Sequence, residues 1–228
     1  MPSVAPETTS GELFTYLDAT SYTWSDTRNA STAGLAYVYQ QGVVIVAEYT
    51  GGRGSLFRIR RGYLHFDLSS VSGTITDLDL DLYTRSPSVA RDIIIVKSTA
   101  PDGSNIAVGD FGAADLSTAY SAEFTTFSNT ADAQNTIALN STAISDANTN
   151  SELILAVVDH TYDYSNSQPA TGLQLSLQYH LSSLTLRPTL TYTAVTGYGN
   201  TVMGVVSANI GEVTGVATAD IGKVIGAQ

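Results

Sequence analysis

The chain contains no cysteine, and of its 10 basic residues only Lys97 and Lys223 are lysines. The first absence removes disulfides, thiolate metal sites and thiol nucleophiles together. The second, set against 21 acidic residues, leaves a formal net charge of -11. A protein that tracks phosphates needs a concentrated basic face, so no nucleic-acid partner is expected. Long apolar runs are missing too. The apolar runs, such as Val43 to Ala47 and Ile93 to Val96, fall far short of the ~20 residues a helix needs to cross a bilayer, so no membrane partner is expected either. The start, Met1-Pro2-Ser3-Val4-Ala5-Pro6-Glu7, has neither the basic nor the apolar stretch of a secretory leader. The expectation is either a chain already processed at its N-terminus or a protein that reaches its site without the general export route. A virion released by lysis is one such setting, with an extracellular location as the alternative.

What is present is a chain of 228 residues, 43% hydrophobic. That suffices for the core of one β domain, or of one domain plus an appendage. Charged residues make up 14%, well below the usual ~25%. Ser and Thr fill roughly a quarter of the sequence. A polar but weakly charged surface suits β-rich extracellular or virion proteins better than cytosolic helical enzymes.

Period-two patterning dominates. Leu13 to Leu17, Val43 to Tyr49 and Phe57 to Asp67 are rich in β-branched and aromatic residues and are expected as strands. Leu78, Leu80 and Leu82 interleave with Asp77, Asp79 and Asp81, which places Leu inward and Asp outward. Asp92 to Lys97, Ala122 to Phe127, Thr136 to Leu139 and Leu153 to Asp159 supply further short strands. Leu173 to Leu177 and Leu184 to Thr191 alternate with Gln, Ser and Thr and close the domain. The segment Ser21 to Gly34 is polar and is expected as a loop, and Gly51-Gly52-Arg53-Gly54 as a hairpin turn. Helix signals are nearly absent; Ser141 to Asn148 fits one short turn, with Ser141 or Thr142 as its N-cap. The fold class expected is all-β, an antiparallel sandwich or jelly roll over residues 12–196 after an extended leader at 1–11.

From residue 197 the texture changes to a short repetitive extension, 197–228. Val202 to Glu212 is followed by Val213 to Lys223 and then Val224-Ile225-Gly226, with Val, Gly, Val, Ala, Ile and Gly recurring at a period of 11 residues. Two glycines per unit cost a helix ~1 kcal/mol each, so short β-arcs or extended segments are expected instead. A unit this short cannot bury its own apolar side chains. Val202, Val205, Ile210, Val213, Val216, Ile221 and Val224 are therefore the expected assembly interface. Their expected partners are further copies of the chain, with a trimer among the symmetric forms, or other virion proteins.

Three segments resemble the DNRLRE-type jelly-roll domain, in the family's order. They are Arg61-Gly62-Tyr63-Leu64-His65-Phe66-Asp67-Leu68-Ser69-Ser70-Val71, then Ile75-Thr76-Asp77-Leu78-Asp79-Leu80-Asp81-Leu82-Tyr83, and the closing Arg187-Pro188-Thr189-Leu190-Thr191-Tyr192-Thr193. Asp77 stands where that family carries a small residue. The resemblance implies a carbohydrate-binding-like jelly roll of the kind found in large surface proteins, and no catalytic residues. The extension is similar to the Gly/Val/Ala/Ile repeats that end many phage structural proteins.

Several residue groups bear on chemistry. Asp77, Asp79 and Asp81 form a row at ~7 Å intervals; calcium is the cation such oxygens would suit, but it needs about six to eight converging ligands and a flat row diverges. The alternative is a solvated ladder paired with Arg58 and Arg60. Arg53, Arg58, Arg60 and Arg61 form the one basic cluster, suited either to an acidic glycan or to that internal pairing. Asp159, His160 and Asp163, with Tyr162 and Tyr164, share one loop; a His with carboxylates can ligate a metal or act as a base, yet no HExxH and no G-x-S-x-G motif accompanies them. Trp24, Tyr37, Tyr39, Tyr162 and Tyr164 are the aromatic candidates for stacking on sugar rings, with core packing as the alternative. No catalytic pair is selected and no enzymatic activity or cofactor is expected. The leading reading is a virion structural protein, a fibre, decoration or tail-associated component; the other is a module that binds surface polysaccharide.

Overall fold

The computed structural model describes residues 1–8, 10–19, 21–38, 43–50, 56–85, 92–100, 105–128, 130–195, 212–213 and 216–217. The strands are β1 (Ser3–Val4), β2 (Gly11–Asp18), β3 (Leu35–Val38), β4 (Val43–Thr50), β5 (Leu56–Asp67), β6 (Thr74–Tyr83), β7 (Ile93–Ser98), β8 (Ala114–Ala119), β9 (Gln134–Ala138), β10 (Glu152–Asp159), β11 (Gln174–Tyr179), β12 (Thr189–Val195), β13 (Glu212–Val213) and β14 (Val216–Ala217). Two short helices, α1 (Trp24–Arg28) and α2 (Ser141–Thr149), join them, with a 3-10 segment at Val108–Ala113 and one π turn at His160–Tyr164.

Two antiparallel sheets make an all-β sandwich. The smaller runs β1-β12-β6-β9; the larger runs β11-β4-β5-β10-β7-β8, with β2 also paired to β5 and β3. The first core lies between them. Leu78, Leu80 and Leu82 of β6, Ile137 of β9 and Leu190 of β12 meet Leu64 and Phe66 of β5, Leu155 and Val157 of β10 and Tyr179 of β11. An isolated bridge, Thr84 to Tyr179, joins the two sheets at one corner.

The second core explains a sequence feature that alternation alone does not. Ile93 to Val96 is fully buried, and Leu153 and Leu155 to Val158 likewise. Continuous apolar runs of this length belong to strands covered on both faces. The covering layer on the far side of the large sheet is built from Trp24 of α1, Ile106 and Phe111, packed on Leu13, Phe57, Ile59, Ile94, Val96, Ala156 and Val158. Where β2 enters this layer, a Cβ on Gly11 would meet the Tyr37 carbonyl oxygen at 2.5 Å and Ile106 Cγ2 at 2.7 Å. Only the smallest residue fits that approach.

Four expectations are corrected. The polar segment Ser21 to Gly34 contains α1, which a capping box starts: the Thr23 hydroxyl accepts from the Asp26 N–H at 3.2 Å, and the Asp26 carboxylate takes the Thr23 N–H at 2.7 Å. Ala122 to Phe127 forms no strand, only a bridge at Phe124 to Ile93. Leu184 stands 88% exposed, ahead of the sandwich's last strand, β12, which starts at Thr189. The cap of α2 is Asn140 rather than Ser141 or Thr142, its Oδ1 accepting from the Thr142 and Ala143 N–H groups at 3.0 and 3.1 Å. The Gly51 to Gly54 turn lies outside the described residues. In the extension, Val213 pairs with Val216 in the antiparallel β13–β14 ladder, while Val202, Val205, Ile210, Ile221 and Val224 lie outside the described residues.

Candidate functional site

The groups expected to carry chemistry are mostly drawn into packing. Trp24 is 3% exposed and stacks edge-on against Phe57, with ring centroids 5.7 Å apart. It therefore offers no open face to a sugar, and its candidacy is withdrawn. Tyr162 and Tyr164 are half-buried against the same core, with the His160 ring stacked on Tyr164 at 5.6 Å. Tyr37 is half-buried on β3, and Tyr39 lies outside the described residues.

The basic cluster divides. Arg61 is 1% exposed and Asp163 is fully buried. Arg61 Nε and Nη2 donate to the two carboxylate oxygens of Asp163, each at 2.8 Å, in the bidentate geometry that suits a planar guanidinium. Its Nη1 donates to the Phe111 carbonyl and its Nη2 also to the Arg28 carbonyl, and the guanidinium lies 4.2 Å from the Phe111 ring centroid. Arg28 in turn donates to the backbone carbonyls of Asp163 and Tyr164. This knot ties α1, β5, the 3-10 segment and the π turn together, so Arg61 does not grip an external glycan. Asp163 is likewise removed as a metal ligand or base. Asp159 caps the π turn by accepting the Tyr162 N–H at 2.6 Å, and His160 Nδ1 faces Glu123 at 3.0 Å. The loop's three chemical groups thus point to three different partners.

The acidic ladder is also reassigned. Arg58 and Arg60 are on β5 in the large sheet, whereas Asp77, Asp79 and Asp81 are on β6 in the small one. Across β12 the ladder meets Thr193, Thr191 and Thr189, and Asp81 accepts from the Thr136 hydroxyl of β9 at 2.6 Å. Burial, and then the neighbouring charges of Asp77 and Asp81, push the Asp79 carboxyl above its ordinary value. Among the described residues no three His, Asp or Glu side chains gather as a metal cluster.

The polar groups that do converge were not singled out by the sequence. A pocket of about 350 Å³ opens where β7, β10 and the end of α2 meet. Lys97 Nζ lies 2.8 Å from Asp146 Oδ2. The Tyr120 hydroxyl donates to the same oxygen in a short contact. Asn150 and Glu152 complete the polar wall, and Ala100, Leu153 and Ile154 the apolar one. The hydrogen bonds from Lys97 and then Tyr120 hold the Asp146 carboxyl below its ordinary value, while burial and the bond to Asp146 push the Tyr120 phenol upward.

Local folding places each member. The Asn140 side chain caps α2 and also donates to the Ala119 carbonyl at 2.8 Å, while its backbone N–H donates to the Tyr120 carbonyl at 2.7 Å. The helix start is thereby fixed to the end of β8. Ala143 and Ala147, four apart, turn one helix face into the core. Register fixes the other wall, with Lys97 opposite Leu155 in the β7–β10 ladder. On the rim, Glu152 Oε2 lies 3.0 Å from His65 Nε2, and His65 Nδ1 lies 3.5 Å from Glu7.

Lys97, Tyr120, Asp146 and Glu152 share no motif spacing. The one signal available beforehand was the rarity of lysine in this chain.

Comparison of the chain with protein-family models gives no match. Comparison with curated proteins gives none either.

Proposed function

We propose that this protein is a display and recognition module of an extracellular particle, in the first instance a virion fibre, decoration or tail-associated component. In this reading its sandwich binds a saccharide and its C-terminal repeat joins it to neighbouring chains. The convergence of Lys97, Tyr120, Asp146, Asn150 and Glu152 on one pocket carries the saccharide reading. A sugar hydroxyl both donates and accepts, and is best held where fixed donors alternate with fixed acceptors beside a small apolar surface. Lys97 supplies donors, Asp146 and Glu152 supply acceptors, and Asn150 supplies both. The balance of one cation against two carboxylates favours a neutral, hydroxyl-rich ligand over an anion.

The assembly half of the reading rests on the 11-residue repeat and on the pairing of Val213 with Val216. A two-residue ladder is too small to stand alone in water. Its apolar residues gain by burial against a neighbour.

The test is a screen of the full chain against neutral and charged oligosaccharides beside Asp146→Asn and Lys97→Gln. The expected result is binding of a neutral glycan that weakens at least tenfold in both variants, with no release of reducing ends. Binding that both variants retain would remove the pocket from the reading. Turnover of the glycan would replace the module with a hydrolase using Asp146 and Glu152, since glycosidases work with a carboxylate pair.

A further inference from the structure

At the corner where the two sheets are joined lies a second cavity, of about 220 Å³, lined by Arg85, His180, Ser182 and Ser183. We propose that it is an oxyanion subsite that takes the sulfate ester or carboxylate of an acidic saccharide. This rests on the saccharide reading given above but uses none of the same residues.

Three observations support it. The first is rigidity. The Arg85 N–H donates to the Gln178 carbonyl and the His180 N–H to the Tyr83 carbonyl, both at 2.9 Å, on either side of the Thr84–Tyr179 bridge. Thr84 and Tyr179 are fully buried, so the alternation of an extended strand turns Arg85 and His180 outward together. A site built on strand backbone holds its donors in place before the ligand arrives.

The second is charge. With a net charge of -11, the molecule as a whole repels anions. Among the other described cations, Arg61 is spent on Asp163, Arg28 on backbone carbonyls of the π turn and Lys97 on Asp146, Arg58 and Arg60 have partners too, and Arg187 is half-buried. Arg85 is exposed, and its guanidinium has no hydrogen bond or ion pair among the described residues. An exposed guanidinium offers the forked donor pair that sulfate and carboxylate accept.

The third is the company it keeps. His180 Nε2 lies 2.9 Å from Asp132 Oδ1, which orients the ring. Asp132 is itself fixed by its N–H to the Thr84 carbonyl at 2.7 Å. The Ser183 hydroxyl oxygen accepts the Leu186 N–H at 3.1 Å, leaving its own proton to donate. Leu184, 88% exposed, stands in the same turn and gives a sugar ring an apolar edge to rest on. The Asp132 carboxylate limits the net positive charge, so a single oxyanion fits better than a polyphosphate.

The test is binding of the full chain to dextran sulfate, polygalacturonate and unmodified dextran at low ionic strength, beside Arg85→Gln and Lys97→Gln. The expected result is binding of at least one charged polymer, weakened tenfold or more by Arg85→Gln and by 0.5 M salt. Preference for dextran sulfate assigns the sulfate source, and preference for polygalacturonate the carboxylate. Charged-polymer binding unaffected by Arg85→Gln, or absent from the wild type, overturns the subsite. Loss of neutral-glycan binding in Lys97→Gln reports on the other pocket and leaves this inference standing.

Discussion

Arg61 and Asp163, 102 residues apart in sequence, face each other through two 2.8 Å hydrogen bonds with neither side chain open to water. Removing one partner strands a buried charge, which typically costs about 3–5 kcal/mol. Asp163→Leu and Arg61→Met are each expected to lower the unfolding free energy by that scale. The double variant Arg61→Met with Asp163→Leu should lose less than the two single losses added together, because it removes both charges. Urea unfolding of the four proteins checks this, and strict additivity would show that the pair is not coupled.

The acidic ladder carries a stability cost at neutral pH. Asp79 has a folded pKa raised by burial and by Asp77 and Asp81, so the stability it contributes is present below its unfolded value near 4 and lost as the pH rises through the folded one. Asp79→Asn removes the like-charge contact and is expected to raise the Tm by about 1–3 °C at pH 7. At pH 3 the gain should vanish. Thermal melts at the two pH values decide it; an equal gain at both would place the effect in hydrogen bonding instead.

Asp146 has the opposite sign. Its folded pKa is lowered by Lys97 and Tyr120, so its contribution is present above the unfolded value and lost as the pH falls through the folded one, a window lying below about pH 4. Lys97→Gln should therefore flatten the acid limb of the stability profile while leaving the plateau above pH 5 lower. A profile with the wild-type slope below pH 4 would show that the 2.8 Å contact contributes nothing.

Asn140 links the cap of α2 to the end of β8. Asn140→Ala is expected to cost about 1–2 kcal/mol and, by loosening the helix that carries Asp146, to weaken saccharide binding several-fold. Asn140→Asp keeps the cap acceptor but loses the donation to the Ala119 carbonyl, so it should recover the stability and not all of the binding. Calorimetric melts beside a binding titration separate the two effects.

The extension is tested by mass. Light scattering of the full chain beside a 1–196 truncation is expected to show an assembly that becomes a monomer on truncation. Val213→Asp with Val216→Asp should have the same effect, since a charge cannot be buried in an apolar contact unpaired. Identical masses for all three proteins would remove self-assembly from the proposed function.

The sequence by itself determined the strands whose side chains obey one rule along their length. Leu78, Leu80 and Leu82 alternate with Asp77, Asp79 and Asp81, and β6 has that register with its Leu face dry, while the Asp face passes from exposed at Asp77 through half-buried at Asp79 to buried at Asp81. The all-β sandwich follows from enough such segments, because period two leaves each sheet one apolar face that only another layer can cover. Tertiary structure decided everything that depends on distant segments meeting. The exposed-looking Trp24 and the surface-looking Arg61 are buried because a second layer covers the far face of the large sheet; the continuous apolar runs of β7 and β10 imply a cover but not which segments supply it. Likewise the ladder meets threonines rather than Arg58 and Arg60 because strand order, not strand pattern, chooses neighbours. The pocket of Lys97, Tyr120, Asp146 and Glu152 exists only once β7, α2 and β10 are folded against one another. A hydrogen bond between residues far apart in the chain leaves no spacing to read; it is set by packing, which carries no local signature.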